Sequence, residues 1–408
     1  MTSILKKGAV GLVDQGMSSL SNVLAVVMVA QSLPASAFGS FSVCYAILIF
    51  VVRLTRSYFG TQLTLTHAGQ PAQDQARATL GALLVLSPII AITVGALGLL
   101  LADSAPSIVA IVALAAPLVC VQELLRYAAV AVDRAWVALA SDTVWVAITA
   151  VPALRLIRLD GPQALGVWLG AAAMAVVVAV LLLRIRPNFG HGLRLLRERH
   201  DVGNSMTIGA VAASGASVVV TVVTAHALGP ASAGSLRGAS TVMGPLNVLQ
   251  AFVTLNLTPI LRRNERSADL RFCVRIALLV SAAVTVWSTI VLLLPDSVGQ
   301  FALGESWPGA RSVLPWMCVE YLFLSLATPT TLWLRVRFAA RQLLRNRLAY
   351  AFLLAGFGSG AALLASSAVY VAAGLAAAAF VSAALGWIAV LRNRSLDLAP
   401  PDAAVSTT

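Results

Sequence analysis

The chain predicts an all-α polytopic membrane protein: twelve transmembrane helices in two parallel-repeat six-helix lobes, with the N- and C-termini cytoplasmic. Three observations predict it. The 408 residues are 59% hydrophobic and 11% charged, where soluble globular domains carry roughly 25% charged residues. Apolar stretches of about 20 residues, each able to cross the hydrocarbon, follow one another along the length. The first half is also written again in the second. Leu33-Pro34-Ala35-Ser36-Ala37 recurs as Leu228-Gly229-Pro230-Ala231-Ser232-Ala233. Pro117-Leu118-Val119-Cys120-Val121-Gln122 recurs as Pro315-Trp316-Met317-Cys318-Val319-Glu320. Ala164-Leu165-Gly166 through Arg186 recurs as Ala372-Ala373-Gly374 through Arg394. Three matches in the same order mark an internal duplication, a habit of transporters whose halves rock about a central site.

The spans fall at about 9–31, 38–61, 79–101, 107–129, 137–157, 162–183, 205–227, 235–260, 273–294, 312–334, 347–366 and 370–391, each long enough at ~1.5 Å per residue. With the N-terminus placed in the cytoplasm, only Arg155, Arg158 and Arg311 of the 28 basic residues face outside, and Arg237 lies within a span. The remainder fall on the inner side, as the positive-inside rule requires. One missed or invented span would scramble that asymmetry. Six spans per half make the repeats parallel about the membrane normal, not inverted. The domains are then an N-terminal lobe at 1–190, a cytoplasmic linker at 191–203, a C-terminal lobe at 204–395 and a polar, disordered cytoplasmic tail at 396–408. Arg194, Arg197 and Arg199 of the linker fit either an interfacial amphipathic segment that contacts anionic lipid or a plain basic linker.

The net charge of +12 does not imply nucleic acid as a partner, because the basic residues sit in short loops between apolar spans. Only Lys6 and Lys7 are lysines. Such arginine usage fits a GC-rich bacterial genome, hence a multi-pass protein of the bacterial cytoplasmic (inner) membrane. Lys6-Lys7, the apolar run after them and Ala35-Ser36-Ala37 imitate a signal peptide. The run is too long for one, carries Asp14, Gln15 and Asn22, and its supposed cleavage site recurs at Ala231-Ser232-Ala233. The motif reads as an interhelical turn, and span 1 is retained. Cys44, Cys120, Cys273 and Cys318 fall inside spans, as packing residues rather than a disulfide framework. There is no Walker A motif, and His67, His191, His200 and His226 have no metal-ligand spacing. Neither a metal, another cofactor nor an enzyme activity is expected.

Polar residues inside the bilayer are costly and face a bundle interior or a wet cavity. Span 1 carries Asp14, Ser18, Ser21 and Asn22 on one stripe, and span 7, its repeat partner, carries Ser214, Ser217, Thr221 and Thr224. Span 8 carries Arg237, Ser240, Thr241, Gly244, Asn247 and Thr254, with Pro245 as a kink, and span 2 carries Arg53, Arg56 and Gly60. Small polar residues also serve close helix packing, and arginines near span ends also snorkel. The four polar faces nonetheless place spans 1, 2, 7 and 8 around a shared hydrophilic cavity. Ser18, Asn22, Ser214, Ser217 and Thr221 are its expected lining. Glu123 and Arg126, three apart, neutralise each other. Glu320 has no charged partner in its own helix, and its repeat counterpart is Gln122. Asp14, Glu320 and Glu123 are the candidates for binding a coupling ion, H+ or Na+. Arg53 and Arg56 lie toward the inner end and Arg237 toward the outer end, so the cavity is expected to be asymmetric along its axis.

Several segments resemble the polysaccharide repeat-unit (O-antigen or Wzx-type) flippases of the MATE-like MOP exporter superfamily. They are the Gly8…Gln15…Ser18 opening, Leu33-Pro34 with Ala37-Phe38-Gly39-Ser40-Phe41-Ser42, and Leu236 to Asn247 followed by Leu257-Thr258-Pro259. Leu303-Gly304-Glu305-Ser306-Trp307 belongs with them. The resemblance spans most of residues 1–395. It implies two lobes forming a V-shaped cavity that opens alternately to each side, and a polyprenyl-diphosphate-linked oligosaccharide as cargo. It also implies a polysaccharide polymerase and glycosyltransferases as neighbours in the pathway. The substrate headgroup would meet Arg237, Arg53 and Arg56, whose guanidinium forks match phosphate geometry, with Asn247, Ser240 and Thr241 beside them. Lipid II flippases of the superfamily often have fourteen spans, and this chain has room for twelve. Two rival readings remain. One is a proton- or sodium-coupled small-molecule exporter, which would want acidic cavity residues. The other is a membrane glycosyltransferase or polymerase, which would want acid near the first outer turn; residues 32–37 contain none.

Overall fold

The computed structural model describes residues 2–60, 63, 70–102, 106–197, 201–250, 252–253, 270–336 and 340–397. They are almost entirely helical. In the first half, α1 spans Thr2–Ser32, α2 Ala35–Thr55, α3 Gln70–Leu101, α4 Pro106–Ala131, α5 Ala135–Ala153 and α6 Gly161–Leu183. A short helix, α7 (Phe189–Arg197), precedes the second half. There α8 spans Asp201–Leu228, α9 Pro230–Val242, α10 Leu270–Leu292, α11 Asp296–Leu303, α12 Trp307–Val336, α13 Ala340–Leu364 and α14 Ala368–Asp397. Among the described residues ten helices are long and apolar enough to cross a membrane, and Gly16–Ser32 is a shorter apolar one. The chain is thus a polytopic all-α membrane protein.

Several boundaries differ from the sequence expectation. The eighth span, expected as one helix over 235–260, starts at Pro230 and breaks at Met243 before a second helical stretch over 244–250. The break lies where Pro245 removes a backbone donor; its turn is closed by Leu246 N–H on Met243 O at 3.0 Å. The second span ends in a π-helical turn, Arg56–Gly60, a distortion that often marks functional positions. The expected linker at 191–203 is largely helix, since α7 runs to Arg197 and α8 begins at Asp201. Thr254, the Leu257-Thr258-Pro259 segment, Arg199 and the tail beyond Asp397 lie outside the described residues. Local signals hold elsewhere. Asp160 and Gln163 form a reciprocal capping box at the start of α6.

Each half packs as a bundle, with α4 at the centre of the first and α12 at the centre of the second. The halves meet along α2, which lies against both α8 and α9. Near the two proline turns, α2 and α9 cross so closely that a Cβ on Gly39 would stand 1.8 Å from Pro230 O. Only glycine fits there. The tip of α1 and the α5–α6 turn close on α11. Gln31 Nε2 donates to Ala153 O at 3.0 Å and across the halves to Phe301 O at 2.7 Å. Arg155 Nη2 donates to Gln300 O at 3.4 Å, with its guanidinium 5.2 Å from the Phe301 ring. All of these contacts sit at the arginine-poor end, which the charge asymmetry assigns to the outside. The halves are therefore closed outside.

Candidate functional site

Below that closure, α1, α2, α8 and α9 bring their polar residues together in two levels. The upper level comprises Asn22, Tyr45 and Arg237. They lie about 10–15 Å below the outer helix ends at 1.5 Å per residue, hence near the bilayer centre. The Arg237 guanidinium stands over the Tyr45 ring, 4.3 Å from its centroid. Tyr45 Oη donates to Asn22 Oδ1 at 3.0 Å. A desolvated cation–π contact contributes about 2 kcal/mol, enough to hold the arginine's direction but not to neutralise it. The buried Nε of Arg237 has no hydrogen-bond partner.

The lower level lies about 20–27 Å below the outer ends. Arg53 Nη1 donates to Ser214 Oγ at 3.3 Å, from one half to the other. Asn247 Nδ2 donates to Tyr321 Oη at 3.1 Å. Glu320, adjacent to Tyr321 in α12, is buried at 7% exposure, and its Oε2 has no hydrogen-bond partner. Arg53 is within Coulombic range of Arg237, Tyr321 and Tyr350. The side chains of Asn22, Arg53, Ser217 and Asn247 are exposed although three of them are partnered across the helix interfaces, so a polar cleft lies open beside these contacts. Among the described residues neither Arg53 nor Arg237 has a carboxylate within ion-pair distance.

Beside the cleft, inside the first half, lies a charge network. Arg56 Nε meets Glu123 Oε1 at 2.7 Å, and Arg126 Nη1 meets Glu123 Oε2 at 3.1 Å. Arg126 Nε meets Asp142 Oδ2 at 3.2 Å, and its Nη1 donates to Ser18 Oγ at 2.7 Å. Gln122 Nε2 donates to Asp142 Oδ1 at 2.6 Å. Among the described residues two guanidiniums and two carboxylates meet here, and the π-turn carries Arg56 onto Glu123.

The structure therefore divides the sequence candidates. Arg53, Arg237, Asn22, Ser214 and Asn247 converge, and Arg237 is closer to Arg53 than its placement near the outer end suggested. Arg56 is also within Coulombic range of Arg53 but is held by Glu123, and Ser18 is held by Arg126. Glu123 itself bridges two arginines rather than one. Ser240 and Thr241 donate to Arg237 O at 2.8 Å each, so they brace the turn that carries Arg237 rather than presenting free hydroxyls. Ser217 is exposed and Thr221 half-buried, with the Thr221 hydroxyl donating to Ser217 O at 2.8 Å. Asp14 lies in α1, and its side chain is outside the described residues. Sequence reasoning missed Asp142, which the rule that flagged Glu123 would have found, being a carboxylate within span 5. It also missed Tyr45 and Tyr321, for which no signal existed, because tyrosine in an apolar span is ordinary. Among the described residues no group of acidic, histidine and cysteine side chains could hold a metal ion.

No family model matches the chain, and no curated protein is significantly similar to it. Solved structures are similar in fold. The inward-facing conformation of a multidrug resistance MATE family transporter of the MOP superfamily aligns with a TM-score of 0.73 at 14% identity, over 94% of this chain and 96% of that chain. The outward-facing conformation of such a transporter aligns at 0.59 and 15% identity, over 96% and 95% of the two chains. A MOP superfamily transporter from Pyrococcus furiosus Vc1, described for the reverse polarity of its binding pocket, aligns at 0.59 and 14% identity, over 96% and 95%. The chain has the MATE transporter fold.

Proposed function

We propose that the chain flips polyprenyl-diphosphate-linked oligosaccharide across the membrane by alternating access. The observation that carries this is the pair Arg53 and Arg237, two guanidiniums at membrane depth within Coulombic range of each other and, among the described residues, without a carboxylate at ion-pair distance. Such a pair is costly when empty and is matched by a diphosphate, which each guanidinium can grip through parallel hydrogen bonds. The saccharide would share the polar cleft while the prenyl tail stays in lipid. The pocket of reverse polarity described for the Pyrococcus furiosus transporter, and the different function suggested for it, support a pocket polarity that varies within this fold.

The test is flipping of a fluorescent polyprenyl-diphosphate-linked oligosaccharide in vesicles containing the purified protein. Charge-assisted hydrogen bonds are worth roughly 1.5–3 kcal/mol, so Arg237→Ala should slow flipping by about 10- to 100-fold with the fold intact. Normal flipping in both Arg237→Ala and Arg53→Gln would exclude the anion site. Glu320 favours a second reading, a proton- or sodium-coupled exporter of small molecules, because a buried unpaired carboxylate suits an exchanged cation. Efflux of an organic cation that responds to imposed ion gradients, with no movement of the lipid-linked saccharide, would establish that reading instead. In either case Glu320 and Asp14 are the open candidates for coupling, since Glu123 is held by two arginines.

A further inference from the structure

We propose that α7 is a lipid-reading helix, seating the first half on the inner leaflet by binding anionic phospholipid headgroups. The inference is independent of the cargo. It starts from a mismatch between the apolar arc of α7 and the protein that covers it. At about 100° per residue, Leu195, Gly192, Leu196, Phe189 and Leu193 follow one another around the helix. The first three pack against the bundle, with Leu195 and Gly192 buried and Leu196 half-buried. The other two do not: Phe189 is 51% and Leu193 46% exposed.

The docking of α7 is tight enough to fix where that uncovered edge points. Asn188 N–H donates to Arg77 O at 2.9 Å. A Cβ on Gly192 would stand 2.5 Å from Ala82 N, so the helix lies directly on the inner end of α3. One turn further along α3 the exposed apolar series begins, through Val85, Ile89 and Ile92. Phe189 and Leu193 therefore continue a lipid-facing surface at its inner margin.

The charges complete the case. Between Arg184 and Arg197 the chain contains no acidic residue. Arg184, Arg186 and Arg194 are exposed, and among the described residues none of the three forms an ion pair. A helix with an apolar edge in the acyl boundary and arginines at headgroup level fits an anionic leaflet. Because α7 is fixed to α3, lipid held there would anchor the first half while the second half, beginning at α8, remains to move.

The test uses the full chain in vesicles of phosphatidylcholine with and without phosphatidylglycerol. Phosphatidylglycerol should raise the unfolding midpoint of the unmodified protein. The double variant Arg186→Gln, Arg194→Gln should match it in pure phosphatidylcholine but lose roughly half or more of that shift, since each basic side chain contributes separately to leaflet binding. An undiminished shift in the double variant would overturn the proposal. So would an equal shift from soluble glycerol phosphate in pure phosphatidylcholine, which would mark a free-phosphate site instead. A second arm places an environment-sensitive dye at Leu193→Cys, selectively, because Cys44, Cys120, Cys273 and Cys318 are buried. Quenching by headgroup-region lipid quenchers is expected; emission like that of dye in water, untouched by them, would equally overturn the assignment.

Discussion

In the first half Gln122 donates to Asp142, and Arg126, one turn along α4, ties Asp142 to Glu123 and reaches Ser18. The counterparts of Gln122, Arg126 and Ser18 in the second half are Glu320, Leu324 and Ser214. There a carboxylate stands in place of Gln122, and the arginine is gone. The serine is reached instead by Arg53, which comes from the other half. The scaffold was duplicated, but the charges were placed separately. The first half pairs its buried carboxylates with its own arginines. The second leaves Glu320 Oε2 without a hydrogen bond among the described residues and takes its arginine contact from the other half. That contact depends on how the halves sit together, so it must change when they rock, whereas the network around Arg126 moves as a unit.

Removing the closing arginine of the first half should have the largest effect. Arg126→Leu removes the guanidinium shared by Glu123 and Asp142 while Arg56 stays on Glu123, and breaking a buried pair from one side costs about 3–5 kcal/mol. A fall in the unfolding midpoint of the purified protein checks it, and an unchanged midpoint would show the network to be dispensable. Grafting that feature onto the second half is the sharper experiment. Leu324→Arg places a guanidinium one turn after Glu320, as Arg126 stands to Gln122. It should leave stability within about 2 kcal/mol yet abolish any dependence of transport on an ion gradient, by supplying Glu320 with a permanent cation. Retained gradient dependence in that variant would separate Glu320 from coupling. The smallest change is Glu320→Gln, expected to shift stability by less than about 1 kcal/mol because no ion pair is broken. A loss as large as that of Arg126→Leu would mean that Glu320 is structural after all.

Much of this architecture was legible beforehand because it rests on local composition. Span length and charge asymmetry are one-dimensional properties, and the bilayer enforces them on every segment separately. The polar stripes on the first, second, seventh and eighth spans could be read for the same reason, since helical spacing converts sequence into a face. The stripe alone does not say which polar group is free. Arg53 and Arg56 lie three residues apart on one helix and look equivalent, yet a π-turn and the position of Glu123 on α4 bind one and leave the other. Ser240 and Thr241 share a face with Arg237 but spend their hydroxyls on its backbone carbonyl.

The sequence by itself determined the membrane class, the duplicated halves, the inner and outer ends and the helices that carry polar groups. Each follows from the cost of an unsatisfied or charged group in hydrocarbon, paid residue by residue. Only the tertiary structure decided which charges are neutralised, that Tyr45 and Tyr321 hold Asn22 and Asn247, and that the halves close at Gly39 and Pro230. Those outcomes depend on contacts over a few ångströms between residues distant in sequence, and no periodicity encodes such distances.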